Sequence, residues 1–238
     1  MALTDLVTPV PKRQTLGADV HAQIRELLTS GRLRPGEQIS LRTTAQALGV
    51  SVMPVREAVY QLVAEQALEV TANRSIRVPR MTVSAFREMT YIRVHVESLA
   101  AHHATQHCTK ALIREMRGWN EKLEAEMRTA EPDAAKLILF NRELHFAMYR
   151  AAEMPLLFKM IESLWLRVGP ILNYDLRSGS PRVKERTAVT HHKRMIAALD
   201  KGDTVGAGEA LRDDIQSAAN TIIAAGVLLD ADDAGDEG

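Results

Sequence analysis

The stretch PGEQISLRTTAQALGVSVMPVREAVYQLV, residues 35–63, has the pattern of two short helices joined by a tight turn. The first helix is expected at about Leu41–Leu48, and Gly49 follows it with the residue type that most easily takes the left-handed conformation. Ser51 then stands where an N-cap belongs, and Pro54 falls in the next turn, where its missing N–H costs nothing. The stretch therefore predicts a helix-turn-helix.

The second helix carries one apolar stripe with the spacing i, i+4, i+7 and i+8, formed by Val55, Val59, Leu62 and Val63. The residues before and beside this stripe are expected at the exposed amino-terminal end of the helix. In a helix-turn-helix this end enters the major groove of DNA. We therefore expect DNA contacts from Ser51, Val52, Met53 and Arg56.

The segment PGEQISLRTTAQALGVSVMPVREAV resembles the DNA-binding motif of the GntR family of bacterial transcription regulators, whose pattern is PG, an Arg and LGVSRTPVREAL. The resemblance adds Arg42 to the DNA-contacting positions named above. Val52 stands where the family usually has Arg, and Met53 stands where it usually has Thr. The resemblance therefore does not supply, at position 52, the arginine contact that reads guanine.

The segment after the second helix, ALEVTANRSIRVP, predicts two short strands, Leu68–Thr71 and Ile76–Val78, joined by a polar turn at Ala72–Ser75. Two strands in this position form the wing of a winged helix. Arg74 and Arg77 lie at or beside its tip, where a minor-groove or phosphate contact is natural.

The residues before the motif complete the predicted DNA-binding domain, residues 16–80. A helix over about Gly17–Ser30 is expected to pack behind the motif. Residues 1–15 contain two prolines and few large apolar residues, and they predict a flexible arm. A solvated tail is favoured there over phosphate contacts from Lys12 and Arg13.

Composition predicts a chain of two domains without a membrane segment. The 238 residues are 46% hydrophobic, which is enough for a substantial core. The single cysteine, Cys108, excludes an intrachain disulfide, and no run of eighteen apolar residues or signal peptide occurs. We expect a cytoplasmic protein. Residues 1–80 hold ten Lys and Arg against seven Asp and Glu, a balance that suits contact with phosphate.

After Pro79–Met81 helical periodicity replaces the strand signals. It predicts an α-helical bundle over residues 81–229, with helices at 82–107, 109–128, 133–152, 154–176, 182–201 and 203–229. The acidic segment 230–238 is expected to be disordered. The predicted fold class is mainly α, with an amino-terminal winged helix-turn-helix domain followed by an all-α bundle.

Polar residues that fall within apolar stripes are the informative residues of this bundle, because a bundle by itself needs only apolar stripes. Asn141 lies among apolar residues of its helix, and His145 lies one turn further on. His192 points along the stripe of a later helix. Asp214 lies about 60° from the centre of the last stripe, and Arg93 lies in the inner band of the helix at 82–107.

This second region resembles the effector domain of the FadR-like branch of the GntR family, the FCD domain, through RVHVE (residues 93–97), NRELH (141–145) and HKRMIAALDKGD (192–203). In the metal-binding members an Asp and three His bind Zn or Ni. The corresponding positions here are Asn141, His145, His192 and Asp214. We expect an altered divalent-metal site from these four residues, or else a metal-free polar cluster that lines an effector cavity.

Arg93 is the candidate for a small carboxylate effector, because a guanidinium meets a carboxylate bidentately. The effector-binding set is therefore Arg93, Asn141, His145 and His192. An intrahelical pair of Arg93 with Glu97 is an equal and compatible expectation. The cluster His102, His103 and His107 is predicted to be a solvated patch.

The predicted function is a ligand-responsive transcriptional regulator, a repressor, that binds a palindromic double-stranded operator as a homodimer. An architectural DNA-binding protein without an effector is the alternative. A metal-dependent hydrolase is disfavoured, because the sequence has no HExxH motif, nucleophile elbow or glycine-rich phosphate loop.

Overall fold

The computed structural model of the protein describes residues 16–230. The predicted arm, residues 1–15, and residues 231–238 of the predicted acidic tail lie outside this range. The amino-terminal elements are α1 (Leu16–Thr29), β1 (Gln38–Ile39), α2 (Leu41–Leu48), α3 (Val52–Ala64), β2 (Glu69–Val70) and β3 (Ile76–Arg77). The later elements are α4 (Val83–Gln106), α5 (Lys110–Met127), α6 (Ala134–Ala151), α7 (Pro155–Arg177), α8 (Pro181–Glu185), α9 (Thr187–Lys201) and α10 (Thr204–Ala224).

The amino-terminal elements form a winged helix-turn-helix, as predicted. One core joins the inner faces of α1 and α3 through residues that are at most 2% exposed: Val20, Ile24, Leu28, Val55, Val59 and Leu62. The sheet has the order β1-β3-β2 with both pairs antiparallel. Strand β1 was not predicted, because two residues are too few to show an alternating pattern. The two wing strands are shorter than predicted.

The remaining helices form the predicted all-α bundle. Its main apolar core draws side chains from α4, α5, α6, α7, α9 and α10. Each long helix except α7 and α9 begins at a polar N-cap whose side chain accepts a backbone N–H, as Thr82 does for α4 and Asp203 does for α10. Within residues 16–230 no helix combines the length and the apolar character that crossing a membrane requires. The predicted boundary between residues 80 and 81 stays a prediction.

The helix predicted over 182–201 is wrong, because the chain breaks at Arg186. This residue has φ +53°, in the left-handed region, and separates α8 from α9. Val183 and Val189 both pack into the same apolar cluster with Leu123 and Leu176. On one continuous helix, residues six positions apart would point about 120° away from each other. The break therefore allows both valines to be buried together.

The last helix is also shorter than predicted. It ends at Ala224, and Gly226 has φ +68°, which reverses the chain. Leu229 then donates its N–H to Met81 O (3.0 Å) and accepts the N–H of Val83 (3.2 Å). The end of the described chain is therefore attached to the linker between the winged helix and the bundle.

The winged helix contacts the bundle through α1 and α7, a contact that the sequence did not predict. Leu166 of α7 is 1% exposed and belongs to the core of the winged helix. Two side chains of α7 bond the carboxyl end of α1: the Asn173 amide donates to Thr29 O, and the Arg177 Nε donates to Ser30 O (2.9 Å). These bonds satisfy carbonyls that a helix end leaves without partners.

Candidate functional site

The amino-terminal end of α3 is the exposed surface of the helix-turn-helix. The turn before it is made by Gly49, which has φ +66° and donates its N–H to Gln46 O (3.2 Å). Ser51 is the N-cap of α3, but its hydroxyl makes no capping bond. Because Val55 and Val59 turn inward, the other side of the first turns faces outward.

Four of the residues predicted to touch major-groove DNA are exposed on this surface: Arg42, Ser51, Met53 and Arg56. Val52 is half-buried and packs against the core of the winged helix. Met53 is 57% exposed, so its apolar side chain is available for contact with a thymine methyl group.

The wing tip is shaped by the side chains of its turn. The Asn73 side-chain oxygen accepts the Ser75 N–H (3.2 Å), and the Thr71 backbone N–H donates to Ser75 O (2.9 Å). Arg74 takes φ +61° and is exposed. Arg77 lies on β3 opposite Glu69, and its Nε donates to that carboxylate (2.5 Å). Arg74 is therefore the cation at the tip, as expected, and Arg77 lies at its base.

A second candidate site lies inside the bundle, where α6, α9 and α10 bring together His145, His192 and Asp214. Both histidines are at most 2% exposed, and Asp214 is also buried. The two Nε2 atoms are 3.2 Å apart, and they lie 3.3 and 3.7 Å from Asp214 Oδ2. Donor atoms bound tetrahedrally to a zinc ion at 2.0–2.1 Å are about 3.4 Å apart. The three atoms therefore have the spacing of one face of a tetrahedral metal site.

Neighbouring side chains fix which ring nitrogen of each histidine carries the proton. The Asn120 amide donates to Val189 O (3.4 Å), which turns its oxygen toward His192 Nδ1 (3.0 Å). The N–H of His192 is therefore on Nδ1, and its lone pair is on Nε2.

His145 is held in the same way by Tyr149. The Tyr149 hydroxyl donates to Glu97, so its oxygen accepts from His145 Nδ1 (3.3 Å). Burial, followed by the charge of Glu97, raises the pKa of Tyr149 well above its ordinary value, so that the phenol keeps its proton. The Nε2 atoms of both histidines consequently face Asp214 Oδ2.

The pKa shifts of Asp214 and His192 are in the directions that favour metal binding. Burial alone would raise the pKa of Asp214, but its interactions with His192 and His145 hold that pKa well below the ordinary range. Desolvation lowers the pKa of His192. A neutral imidazole and an ionised carboxylate are the ligand forms that bind divalent metals. Two imidazole nitrogens and a carboxylate oxygen this close together share a cation, either a proton or a divalent metal, and their donor chemistry fits a divalent metal.

Asn141, the fourth predicted ligand, is half-buried on α6, one turn before His145. Its amide oxygen is a neutral donor, weaker than a carboxylate. No other group of three or more His, Cys, Asp or Glu within residues 16–230 is close enough to hold a metal. His102 and His107 are exposed and His103 is half-buried, which agrees with the predicted solvated patch.

Arg93 is buried and forms the expected intrahelical pair with Glu97, at 2.6 Å from Nε to Oε1. Its guanidinium carbon also lies 5.3 Å from the ring centroid of Trp165. Burial by itself would lower the pKa of Arg93, but Glu97 raises it overall. Neither Arg93 nor the His–Asp cluster lines any of five surface cavities found on residues 16–230.

Sequence reasoning missed Asn120 and Tyr149, which orient the two histidines. A signal for Asn120 was present, because it falls within the apolar stripe of α5 between Met116 and Leu123. Tyr149 gives a weaker signal, since an aromatic residue four positions after His145 is also what an ordinary core contains.

Comparison with known proteins places both regions in one family. Residues 16–78 match the family described as "Bacterial regulatory proteins, gntR family", and residues 88–217 match the "FCD domain". The HTH-type transcriptional regulator McbR of Escherichia coli is 31% identical over 205 residues, which cover 86% of this chain and 91% of McbR. A "Probable D-xylose utilization operon transcriptional repressor" from Paenarthrobacter nicotinovorans is 29% identical and covers 84% of this chain and 85% of its own.

Solved structures agree with these matches. The structure of E. coli McbR/YncC has a TM-score of 0.81 and 29% identity, over 90% of this chain and 99% of that one. A GntR-type regulator from Rhodococcus sp. RHA1 has a TM-score of 0.70 at 20% identity, over 88% and 98% of the two chains, and shows the fold alone. These families and relatives are transcriptional regulators and not enzymes. The chain therefore belongs to the GntR family of bacterial DNA-binding transcription regulators, and its helical bundle is an FCD domain.

Proposed function

We propose that this regulator is a homodimeric repressor of a palindromic operator, controlled by a small carboxylate effector and a divalent metal in the bundle. Residues 16–80 are the DNA-binding domain and residues 81–229 the effector domain. The observation that carries the proposal is the set of three potential ligand atoms of His145, His192 and Asp214, buried together, with Nδ1 of each histidine bonded to a neighbouring side chain.

The metal bound there is zinc or nickel. Two imidazole nitrogens and a carboxylate are a donor set that suits zinc, and imidazole also suits nickel. Asn141 approaches from the same helix as His145 as a fourth, neutral donor. With only one anionic ligand, the centre retains positive charge, and this charge favours an incoming carboxylate.

The effector carboxylate binds beside the metal and Arg93. Because Glu97 already pairs with Arg93 and no described cavity reaches the pair, binding requires the Glu97 carboxylate to give way to that of the effector. A ligand that favours one arrangement of the protein in this manner shifts the population toward it. Asn141, His145 and His192 complete the effector-binding set.

The operator is read by Arg42, Ser51, Met53 and Arg56 in the major groove, with Val52 at the edge of that surface and Arg74 at the wing. A single module contacts few base pairs, so two copies on a palindrome are needed for specificity. Repression is supported by the repressor among the relatives.

The coupling between effector and operator runs through α7. Trp165 lies against His145, with ring centroids 5.6 Å apart, and the next residue, Leu166, belongs to the core of the winged helix. A shift of the Trp165 indole therefore displaces Leu166, which lies in the same core as the buried face of α1. The linker near Pro79 provides a second connection.

The metal is tested by mass spectrometry of the purified protein after loading with zinc or nickel and removal of unbound ion. One bound ion per chain is expected for the wild type, and His145→Ala and His192→Ala should each reduce occupancy by at least tenfold. His95→Ala, on the exposed side of α4, is the matched control and should retain the ion. Equal metal content in all four proteins would refute this site.

An architectural DNA-binding protein without an effector is the second candidate, favoured by the closed Arg93–Glu97 pair. The two functions differ in a thermal-shift screen of small carboxylates on the metal-loaded protein. A stabilising carboxylate supports the regulator with an effector, and a screen without one supports the architectural protein.

A further inference from the structure

A groove on the surface of the bundle runs between α4 and α10. Its volume is about 680 Å³, within the range that is typical of small-molecule sites. Arg87 of α4 and Arg212 of α10 both line it, whereas no Asp or Glu of the described residues 16–230 does. This α4–α10 groove therefore has the size and the positive charge of a site for an organic anion.

Neither arginine of the groove is engaged elsewhere. Both are exposed, and within residues 16–230 neither makes a hydrogen bond or an ion pair. Their acidic neighbours in the sequence have other surroundings. Asp213 accepts from Arg194 Nη1 (2.7 Å), and Glu88 lines a different cavity. Two guanidinium groups are therefore free to receive the anionic groups of a ligand.

Contacts at both ends of the groove show that α4 and α10 are antiparallel. Phe86, near the start of α4, packs in one apolar cluster with Ile222, near the end of α10. Further along α4, the Ser98 hydroxyl donates to Gly208 O (3.3 Å), near the start of α10. Residue 98 is therefore level with residue 208, and residue 86 is level with the last turns of α10.

This register separates the two arginines along the groove. Arg212 lies one turn after Gly208 and is level with about residue 94, whereas Arg87 lies seven positions earlier on α4. At a rise of 1.5 Å per residue, the two arginines are about 10 Å apart along the helix axes. A ligand that lies along the groove and meets both arginines therefore needs an anionic group at each of its two ends.

The rest of the lining suits a hydrocarbon chain between two charged ends. Val94 and Ala219 are buried and give the groove an apolar base. Gln216 and Asn220 are exposed along its edge, and within residues 16–230 their side-chain amides make no hydrogen bond. Apolar surface with a few polar groups at fixed positions is the usual composition of a small-molecule site.

We propose that the α4–α10 groove binds an α,ω-dicarboxylate, with one carboxylate at Arg87 and the other at Arg212. Each guanidinium can meet its carboxylate through two parallel N–H···O bonds. The ligand bridges α4 and α10 and favours the arrangement in which these helices are paired. Because α4 continues from the linker to the winged helix, this site provides an input to the DNA-binding domain that depends on neither the metal nor Arg93.

Isothermal titration calorimetry of the full chain with a series of α,ω-dicarboxylates, from succinate to sebacate, tests the proposal. One ligand per chain is expected. The member that binds best should bind at least tenfold more tightly than the monocarboxylate of equal chain length, because it forms a second charged contact. A groove that acts only through its apolar base would prefer the monocarboxylate. That preference, or no binding by any member of the series, would overturn the proposal.

Substitutions locate the site of binding. Arg87→Gln and Arg212→Gln should each weaken binding of the best dicarboxylate at least tenfold. Arg114→Gln removes an exposed arginine of α5 that has no partner within residues 16–230, so it is the matched control and should bind like the wild type. If the two groove variants also bind like the control, the ligand lies elsewhere and the proposal is wrong. Circular dichroism of each variant verifies that the fold is retained.

Removal of divalent metal distinguishes this site from the proposed effector site. Protein that has been treated with a chelator and then desalted should bind the dicarboxylate as tightly as metal-loaded protein. Loss of binding on metal removal would place the dicarboxylate beside His145 and His192. That result would support the proposed function and overturn the proposal for the α4–α10 groove.

Discussion

At the scale of single residues, the described surface separates side chains that can read DNA from those that support the helix. Arg42 and Arg56 are exposed on α2 and α3, whereas Val55 and Val59 on the inner side of α3 are buried. This division follows from helical periodicity, so the sequence could predict it. The half-buried state of Val52 could not be predicted, because it depends on how closely α2 approaches α3.

Arg42→Ala and Arg56→Ala should each weaken operator binding by about 1–3 kcal/mol, five- to 150-fold, because each removes a charged contact to a base or phosphate. Fluorescence anisotropy with an operator selected from random DNA measures the change. Arg114→Ala, on the exposed face of α5, is the matched control and should leave the affinity unchanged. Operator affinities that match the wild type in either arginine variant would contradict the predicted interface.

The cluster of His145, His192 and Asp214 was also only partly predictable from the sequence. The stripes predicted from sequence placed His145 and His192 on inner faces, and the structure brings them within 3.2 Å of each other. Their tautomers depend on Asn120 and Tyr149, which lie on other turns or helices. Such partners are set by tertiary packing, and one helical pattern at a time cannot identify them.

At the scale of elements, the observed helix ends differ from the predicted ones where tertiary packing outweighs the local sequence pattern. The break at Arg186 exists because Val183 and Val189 enter the same cluster, and the turn at Gly226 returns Leu229 to the linker. Both segments continue a helical apolar period in sequence. The contact of α1 with α7 could not be predicted either, because in the sequence Leu166 has the same spacing as the other core residues of α7.

Gly169 lies at the closest approach of α1 and α7, where an added Cβ would be 3.2 Å from Thr29 Cα. Gly169→Ala should therefore lower the free energy of unfolding by about 1–2 kcal/mol, because overpacking exceeds the gain in helix propensity. Gly118→Ala, in α5, meets nothing within 4 Å and should raise that free energy by about 0.5–1 kcal/mol.

Urea denaturation of both glycine variants measures these opposite changes. If both substitutions stabilise the protein equally, α1 and α7 are not in tight contact. A smaller effect of metal loading on DNA affinity in Gly169→Ala is also expected, since this contact connects Trp165 to the winged helix.

At the scale of the whole molecule, the proposed dimer needs an exposed apolar surface on the bundle. Tyr91 and Leu99 on α4 are 68% and 45% exposed, and Val205 at the start of α10 is 68% exposed. Residues 91 and 99 are eight positions apart, about 80° around the helix axis, so they share one half of the surface of α4. Exposed apolar side chains on one face are typical of a protein interface. If the proposed dimer forms, this face is where its second copy is expected to bind.

Tyr91→Asp combined with Leu99→Asp should convert the dimer to a monomer, because two buried charges per subunit would oppose association. Sedimentation equilibrium measures the change in mass. Leu156→Asp is the matched control, since Leu156 is 75% exposed on another helix, α7, and the change should leave the dimer intact. The monomer should bind a palindromic operator no better than a single half-site, whereas the wild type should prefer the palindrome by at least tenfold. If the double variant remains dimeric, the dimer interface lies on another face. In that case α4 does not determine the spacing of the two recognition helices.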